Sequence, residues 1–160
     1  MSERDEIEAI QQLKYRYMRA VDLKLWDELH DTFWPEVVCS YGDGTHSFEG
    51  RDAVLGFLRD SLGGNLVTLH QVHHPQIEIT GPNTARGRWY LVDYVINAGP
   101  DRPLMKGRST LLGAAFYHDQ YEKRDGEWRI LSTGYERTFE QFDDLPESSE
   151  VHSRWDAETG

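Results

Sequence analysis

The sequence has a single cysteine, Cys39. One thiol excludes an internal disulfide and a thiolate zinc cluster. No apolar run approaches the roughly 20 residues of a membrane span. Bases are scarce: 17 Lys and Arg stand against 28 Asp and Glu, for a formal charge of −11. A balance this acidic argues against a phosphate-backbone binder or a polybasic membrane binder. The glycines form no phosphate loop, so no nucleotide cofactor is implied. The opening residues, Met-Ser-Glu-Arg-Asp-Glu, are acidic and unlike a signal or transit peptide. The expectation is a cytoplasmic protein without nucleic-acid or membrane partners.

What is present suffices for one domain. The chain has 160 residues, 38% of them apolar and 12% aromatic, enough for a sizeable core. The charge is uneven. Residues 141–160 hold six acids and one base, Arg154. The division expected is a folded domain over 1–142 and an acidic, mobile tail over 143–160.

Hydrophobic spacing orders the domain. Ile7, Ile10, Leu13, Tyr17 and Val21 recur at three- and four-residue intervals and predict a first helix, opened by a Ser2–Asp5 capping box. A second helix is expected near 23–33, stopped by Pro35. A strand over 36–41 and a short return over 45–48 flank the turn Gly42-Asp43-Gly44. A third helix spans 51–62 and ends at Gly63-Gly64. The period then changes. Residues 66–80, 84–97, 107–123 and 127–138 predict four long strands, the last two joined by the hairpin signal Asp125-Gly126. The expected architecture is α+β: three N-terminal helices packed on a curved mixed or antiparallel sheet, enclosing an apolar pocket.

The strand 84–97 carries the most chemistry. Its alternate residues Ala85, Gly87, Trp89, Leu91, Asp93 and Val95 form an apolar face with one carboxylate in it. Such a carboxylate needs a hydrogen-bonding partner. One reading pairs Asp93 with an arginine or a backbone amide. The other pairs it with a histidine of the preceding strand, which holds His70, His73 and His74. A regular ladder makes His73 a diagonal neighbour of Asp93. A bulge at Pro75 instead places His70 directly opposite Asp93. A carboxylate on one imidazole nitrogen fixes the tautomer, so the other nitrogen can take and return a proton. Abstraction beside a carbonyl also needs a donor for the developing enolate, which Tyr17 could supply.

Other clusters point elsewhere. The three histidines and Asp93 lack a diagnostic metal spacing, because adjacent strand residues face opposite ways, so no metal is expected. Cys39 has no activating neighbour in the sequence and reads as core. Arg86 and Arg88 alternate with Trp89 and Tyr90 but read as solvated or ion-paired.

Several stretches together resemble a known family. They are Ile7-Glu8-Ala9-Ile10, the Tyr17 to Asp22 segment leading into Trp26-Asp27-Glu28-Leu29, and Gly87-Arg88-Trp89-Tyr90-Leu91. Further along they are Ala115-Phe116-Tyr117 with Tyr121-Glu122-Lys123, and Thr133-Gly134-Tyr135 before Arg137. From about Ile7 to Phe139 the chain resembles the SnoaL-like branch of the nuclear transport factor 2-like superfamily. The likeness is nearest to bile-acid 7α-dehydratases and more distant to scytalone dehydratases. The resemblance implies a cone-shaped α+β barrel and a dehydratase that needs no metal or organic cofactor. It implies Tyr17 and His70 as catalytic residues, with Asp93 as the partner of His70. Asp22 corresponds to a polar pocket residue, Tyr41 to a pocket tyrosine that could hold a leaving-group water, and Arg137 to an arginine near the rim. Trp89 is a further substrate-binding candidate. The loop from Asn97 to Lys106 is expected to cover the pocket.

The implied substrate is a small hydrophobic carbonyl compound with a hydroxyl to eliminate, such as a steroid or a polyketide. The superfamily also contains isomerases, cyclases, dioxygenase small subunits and ligand-binding modules, which stay open as alternatives. Family members are dimers or trimers, so a homodimer or homotrimer is expected, with Tyr90, Val92, Tyr94 and Ile96 on an outer sheet face suited to contact.

Overall fold

The structure, a computed structural model, describes residues 2–156. Residues 157–160 of the expected tail lie outside them. Helix α1 (Glu3–Leu23) opens with the predicted capping box: Asp5 N donates to Ser2 Oγ, and Ser2 N donates to Asp5 Oδ2 at 2.8 Å. It closes at Lys24, which adopts the left-handed conformation. Helix α2 (Trp26–His30) is shorter than expected. Phe33 belongs instead to strand β1 (Phe33–Tyr41), where it is fully buried and pairs with Ile130. Pro35 therefore lies inside β1 rather than ending α2. It falls within the interruption of the β1 ladder between Phe33 and Val38, since proline cannot donate a ladder hydrogen bond.

Strand β2 (His46–Glu49) returns along β1, and helix α3 (Arg51–Leu62) follows. Four long strands complete the chain: β3 (Val67–Gly81), β4 (Thr84–Asn97), β5 (Ser109–Arg124) and β6 (Glu127–Asp144). The β5–β6 turn puts Asp125 and Gly126 at positive φ, the geometry a two-residue hairpin requires. Strand β6 runs past the expected end at 138 and past the expected domain boundary at 142. Its final residue, Asp144, pairs with Ser109 at the start of β5.

The six strands form one sheet in the order β2-β1-β6-β5-β4-β3. All pairs are antiparallel except β1–β6, so the sheet is mixed. Bulges in β3 and between β5 and β6 increase twist and curl the sheet. The helices fill the inner face. Ile10, Leu13, Tyr17 and Val21 of α1 meet Phe33, Trp89, Leu91, Ala115 and Ile130 in one core. This is the expected α+β architecture. No described helix is long and apolar enough to cross a membrane.

The outer face carries Leu69, Tyr94 and Leu112 side by side in cross-strand register, all exposed. Tyr90, Val92 and Ile96 are half-buried. Beyond β6, Arg108 holds the chain through the carbonyls of Pro146 and Ser149.

Candidate active site

The inner face leaves a cavity lined by aromatic and aliphatic side chains from α1, α3 and the sheet. About 70 Å³ of it is open to the centre of a water molecule. Its polar groups are few: Tyr17, Tyr41, His46, His70, Asp93, Tyr117, Tyr135 and Arg137. Leu104 and Met105 of the 98–108 loop help close it, as expected of that loop. Asn97 braces the loop by donating to the carbonyls of Pro100 and Gly107 at 2.8 and 2.6 Å.

The strand register follows the bulged expectation. His70 lies opposite Asp93, and the ladder shifts between His73 and Gln76, around Pro75. His74, just before Pro75, has φ 48°. The side chains nevertheless choose other partners. His70 Nδ1 is 2.7 Å from Asp22 Oδ1, at the end of α1. Asp22 Oδ2 also accepts from His70 N at 2.8 Å, and Oδ1 from Thr68 Oγ1 at 2.8 Å. The expected His70–Asp93 dyad is thus corrected to His70–Asp22. The reason is that Asp22 meets both the ring and the backbone of His70, while Asp93 is already taken.

Asp93 is taken by Arg137. Arg137 Nη1 and Nη2 donate to its two oxygens at 2.5 and 2.8 Å, and Nε donates to Glu140 at 2.8 Å. This fork geometry is the strong form of an arginine–carboxylate pair. It realises the alternative in which a buried Asp93 is paired with an arginine. Gly113 makes room for it: a Cβ there would lie 2.6 Å from Asp93 Oδ1 and closer still to Arg137. Gly113→Ala is expected to break the fork and to cost about 1–3 kcal/mol of stability, read as a lower urea midpoint at unchanged slope.

An ionised carboxylate only accepts hydrogen bonds, so the ring nitrogen facing Asp22, Nδ1, carries a proton, and Nε2 is the nitrogen left for other partners. This is the orientation of a general base. The His70 and Asp22 side chains are only 10% and 18% exposed. Asp22, with three donors, is fixed in place and in turn holds the ring.

Phenols form the next layer. Tyr17 and Tyr41 share a hydrogen bond of 3.0 Å between hydroxyls. Tyr41 also donates to Cys39 Sγ at 3.5 Å. Either hydroxyl of the Tyr17–Tyr41 pair can be the donor between them. Burial pushes the Tyr17, Tyr41 and Tyr117 hydroxyls well above the usual phenol range, so they act as neutral donors. Burial likewise pushes the Cys39 thiol up to about 12, which fits its reading as core.

Behind the phenols lies a buried ion pair. Lys14 and Asp119 have no exposed side-chain surface and approach to 2.8 Å. Asp119 also accepts from Tyr121 at 2.7 Å and Thr133 at 2.6 Å. Trp89 donates to Tyr121 at 2.9 Å and is fully buried. Its indole belongs to this network and not to the cavity lining, which corrects its reading as a substrate-binding residue.

A family model described as a SnoaL-like domain matches residues 2–133. The chain belongs to the SnoaL-like family. Solved structures agree on the fold. The SnoaL-like chain is similar to a type 2 hexachlorocyclohexane dehydrochlorinase, LinA, with 20% identity, TM-score 0.76, and 94% of this chain and 95% of that chain covered. The type 3 LinA from Novosphingobium barchaimii has 19% identity, TM-score 0.74, and coverages of 93% and 96%. A protein from Novosphingobium aromaticivorans described as a candidate scytalone dehydratase has 20% identity, TM-score 0.68, and coverages of 91% and 95%.

Within the SnoaL-like cavity the structure brings together Tyr17, Tyr41, His70, Asp93 and Arg137, with Asp22 behind His70. Sequence reasoning did not assign Asp22 as the partner of His70. A signal for it existed. Asp22 stands in the last turn of α1, where a carboxylate opposes the helix dipole, four residues after Met18, which lines the cavity. Sequence reasoning also missed His46, Tyr117, Tyr135 and the Lys14–Asp119 pair. Lys14 falls between Ile10 and Tyr17 on the buried stripe of α1. Asp119 alternates with Tyr117 and Tyr121 on the inner face of β5.

Proposed function

We propose that this SnoaL-like protein is a cofactor-independent lyase that eliminates water from a small hydrophobic, uncharged hydroxy-carbonyl compound. The observation that carries this reading is the His70–Asp22 pair, which presents a carboxylate-held imidazole to a largely apolar cavity. His70 Nε2 removes a proton made acidic by the carbonyl. The C–H electrons move to form an enolate, whose oxygen Tyr17 holds by hydrogen bonding. The enolate then re-forms the carbonyl and a carbon–carbon double bond as the C–O bond breaks. The leaving hydroxide takes the proton back from His70 and departs as water. Tyr41, bonded to Tyr17, stands where it can steady that water.

The charge pattern supports an uncharged substrate. Arg137 is committed to Asp93 and Glu140, and Lys14 to Asp119. Neither cation is left to meet a substrate anion.

The test is product mass after incubation with a panel of neutral cyclic β-hydroxy ketones. Loss of one water supports the lyase reading. An unchanged mass with a shifted double bond supports an isomerase, which would use the same base without a leaving group. Tight binding with no chemical change supports a ligand-binding protein. Hexachlorocyclohexane belongs in the same panel. Elimination of hydrogen chloride from it would keep the base and change the leaving group.

A further inference from the structure

The Lys14–Asp119 pair lies outside the mechanism above, although it is the most deeply buried charge in the fold's catalytic half. Its geometry is directional. Asp119 sits away from the cavity, held by Tyr121, Thr133 and Lys14. Lys14 Nζ makes one close polar contact, to Asp119 Oδ2 at 2.8 Å. Its other side meets aromatic faces. It is 3.5 Å from the ring centroid of Tyr117 and 4.8 Å from that of Tyr17. Both of those tyrosines line the cavity. The order from sheet to ligand space is therefore carboxylate, ammonium, phenol rings, cavity.

We propose that Lys14 is a positioning residue that acts through Tyr17 and Tyr117, polarising their hydroxyls so that this end of the cavity favours a bound oxyanion over the neutral form. The inference rests on the lyase reading for its purpose, since an enolate is such an oxyanion, but not for its test. A cation on the face of a phenol draws electron density from the ring and strengthens the O–H as a donor. In a desolvated site that effect is stronger than at a surface. Lys14 Nζ is the cation that stands over both rings.

The test uses 4-nitrophenol, whose phenolate absorbs visible light and whose neutral form does not. Titrating the protein into it at fixed pH gives the ratio of bound phenolate to bound phenol. The wild type is expected to raise that ratio above its value in water. The double variant Lys14→Met, Asp119→Asn removes both charges together, a replacement that buried pairs often tolerate. It is expected to lower the ratio about tenfold. A second variant, Tyr117→Phe, keeps the ion pair and the ring but removes one hydroxyl. It is expected to lower the ratio several-fold, and it decides the matter if the double variant does not fold. A wild type that enriches no phenolate, or binds neither form, overturns the inference. So does an unchanged ratio in the double variant, or in Tyr117→Phe should the double variant not fold. None of these readings needs turnover, so a failure of the lyase reading would show separately, as hydroxy ketones recovered unchanged.

Discussion

A His70→Ala variant is expected to lose about 10³-fold in turnover of a hydroxy ketone while keeping its fold. The size follows from the chemistry. The variant cavity loses the imidazole that Asp22 holds, and the other lining histidine, His46, stacks on Phe57 instead. Asp93 is bound at both oxygens by Arg137, and Asp22 stands behind the position His70 vacates. The fold survives because the change empties space at a cavity wall instead of inside packed core. His70 still pairs with Asp93 through the backbone. Asp22→Asn is expected to cause a smaller fall. The amide can still meet the ring, but it no longer fixes the tautomer or stabilises the imidazolium. Steady-state rates with one substrate, together with melting curves, check both variants. A His70→Ala enzyme with wild-type rates would remove His70 from the mechanism.

Asp119→Ala is expected to be the most destabilising single change, at about 3–5 kcal/mol. It strands the Lys14 ammonium in a site with no exposed surface. Burial already pushes the Lys14 ammonium towards losing its proton, and Asp119 is the main opposing influence. The change also leaves the hydroxyls of Tyr121 and Thr133 without their acceptor. Against a total stability of about 5–15 kcal/mol for a domain, this loss brings the chain close to unfolding at moderate temperature. Denaturant melts read the effect directly. A midpoint within error of wild type would mean that water or another group replaces the carboxylate.

The fold was legible because its periodic signals were strong. The stripe of α1, the alternation in β4 and the Asp125-Gly126 turn each depend on short-range sequence. The two boundary differences have a common source. Phe33 and residues 139–144 were claimed by pairing with distant strands, which local spacing does not report. The site was legible in its members more than in its pairings. Pro75 signalled the bulge, and the bulge put His70 opposite Asp93. Yet facing across a ladder does not decide which side chains bond. Asp93 reached an arginine on β6, and His70 reached an acid on α1. Both contacts depend on how the sheet curls beneath the helix. Asp119 carried the same sign as Asp93, an acid on a buried aromatic face. Its lysine partner could be found only by seeing that Lys14 interrupts an otherwise apolar stripe.

The central claim is that His70, held by Asp22, moves a proton to and from carbon. The most direct measurement is exchange of the α-hydrogen of a cyclic ketone that lacks a leaving group, followed by NMR in heavy water. Such a compound cannot eliminate, so only the proton transfer is read. The account predicts that the wild type exchanges that hydrogen far faster than buffer does and that His70→Ala exchanges it at the buffer rate. Exchange by wild type and His70→Ala at the same rate would contradict it.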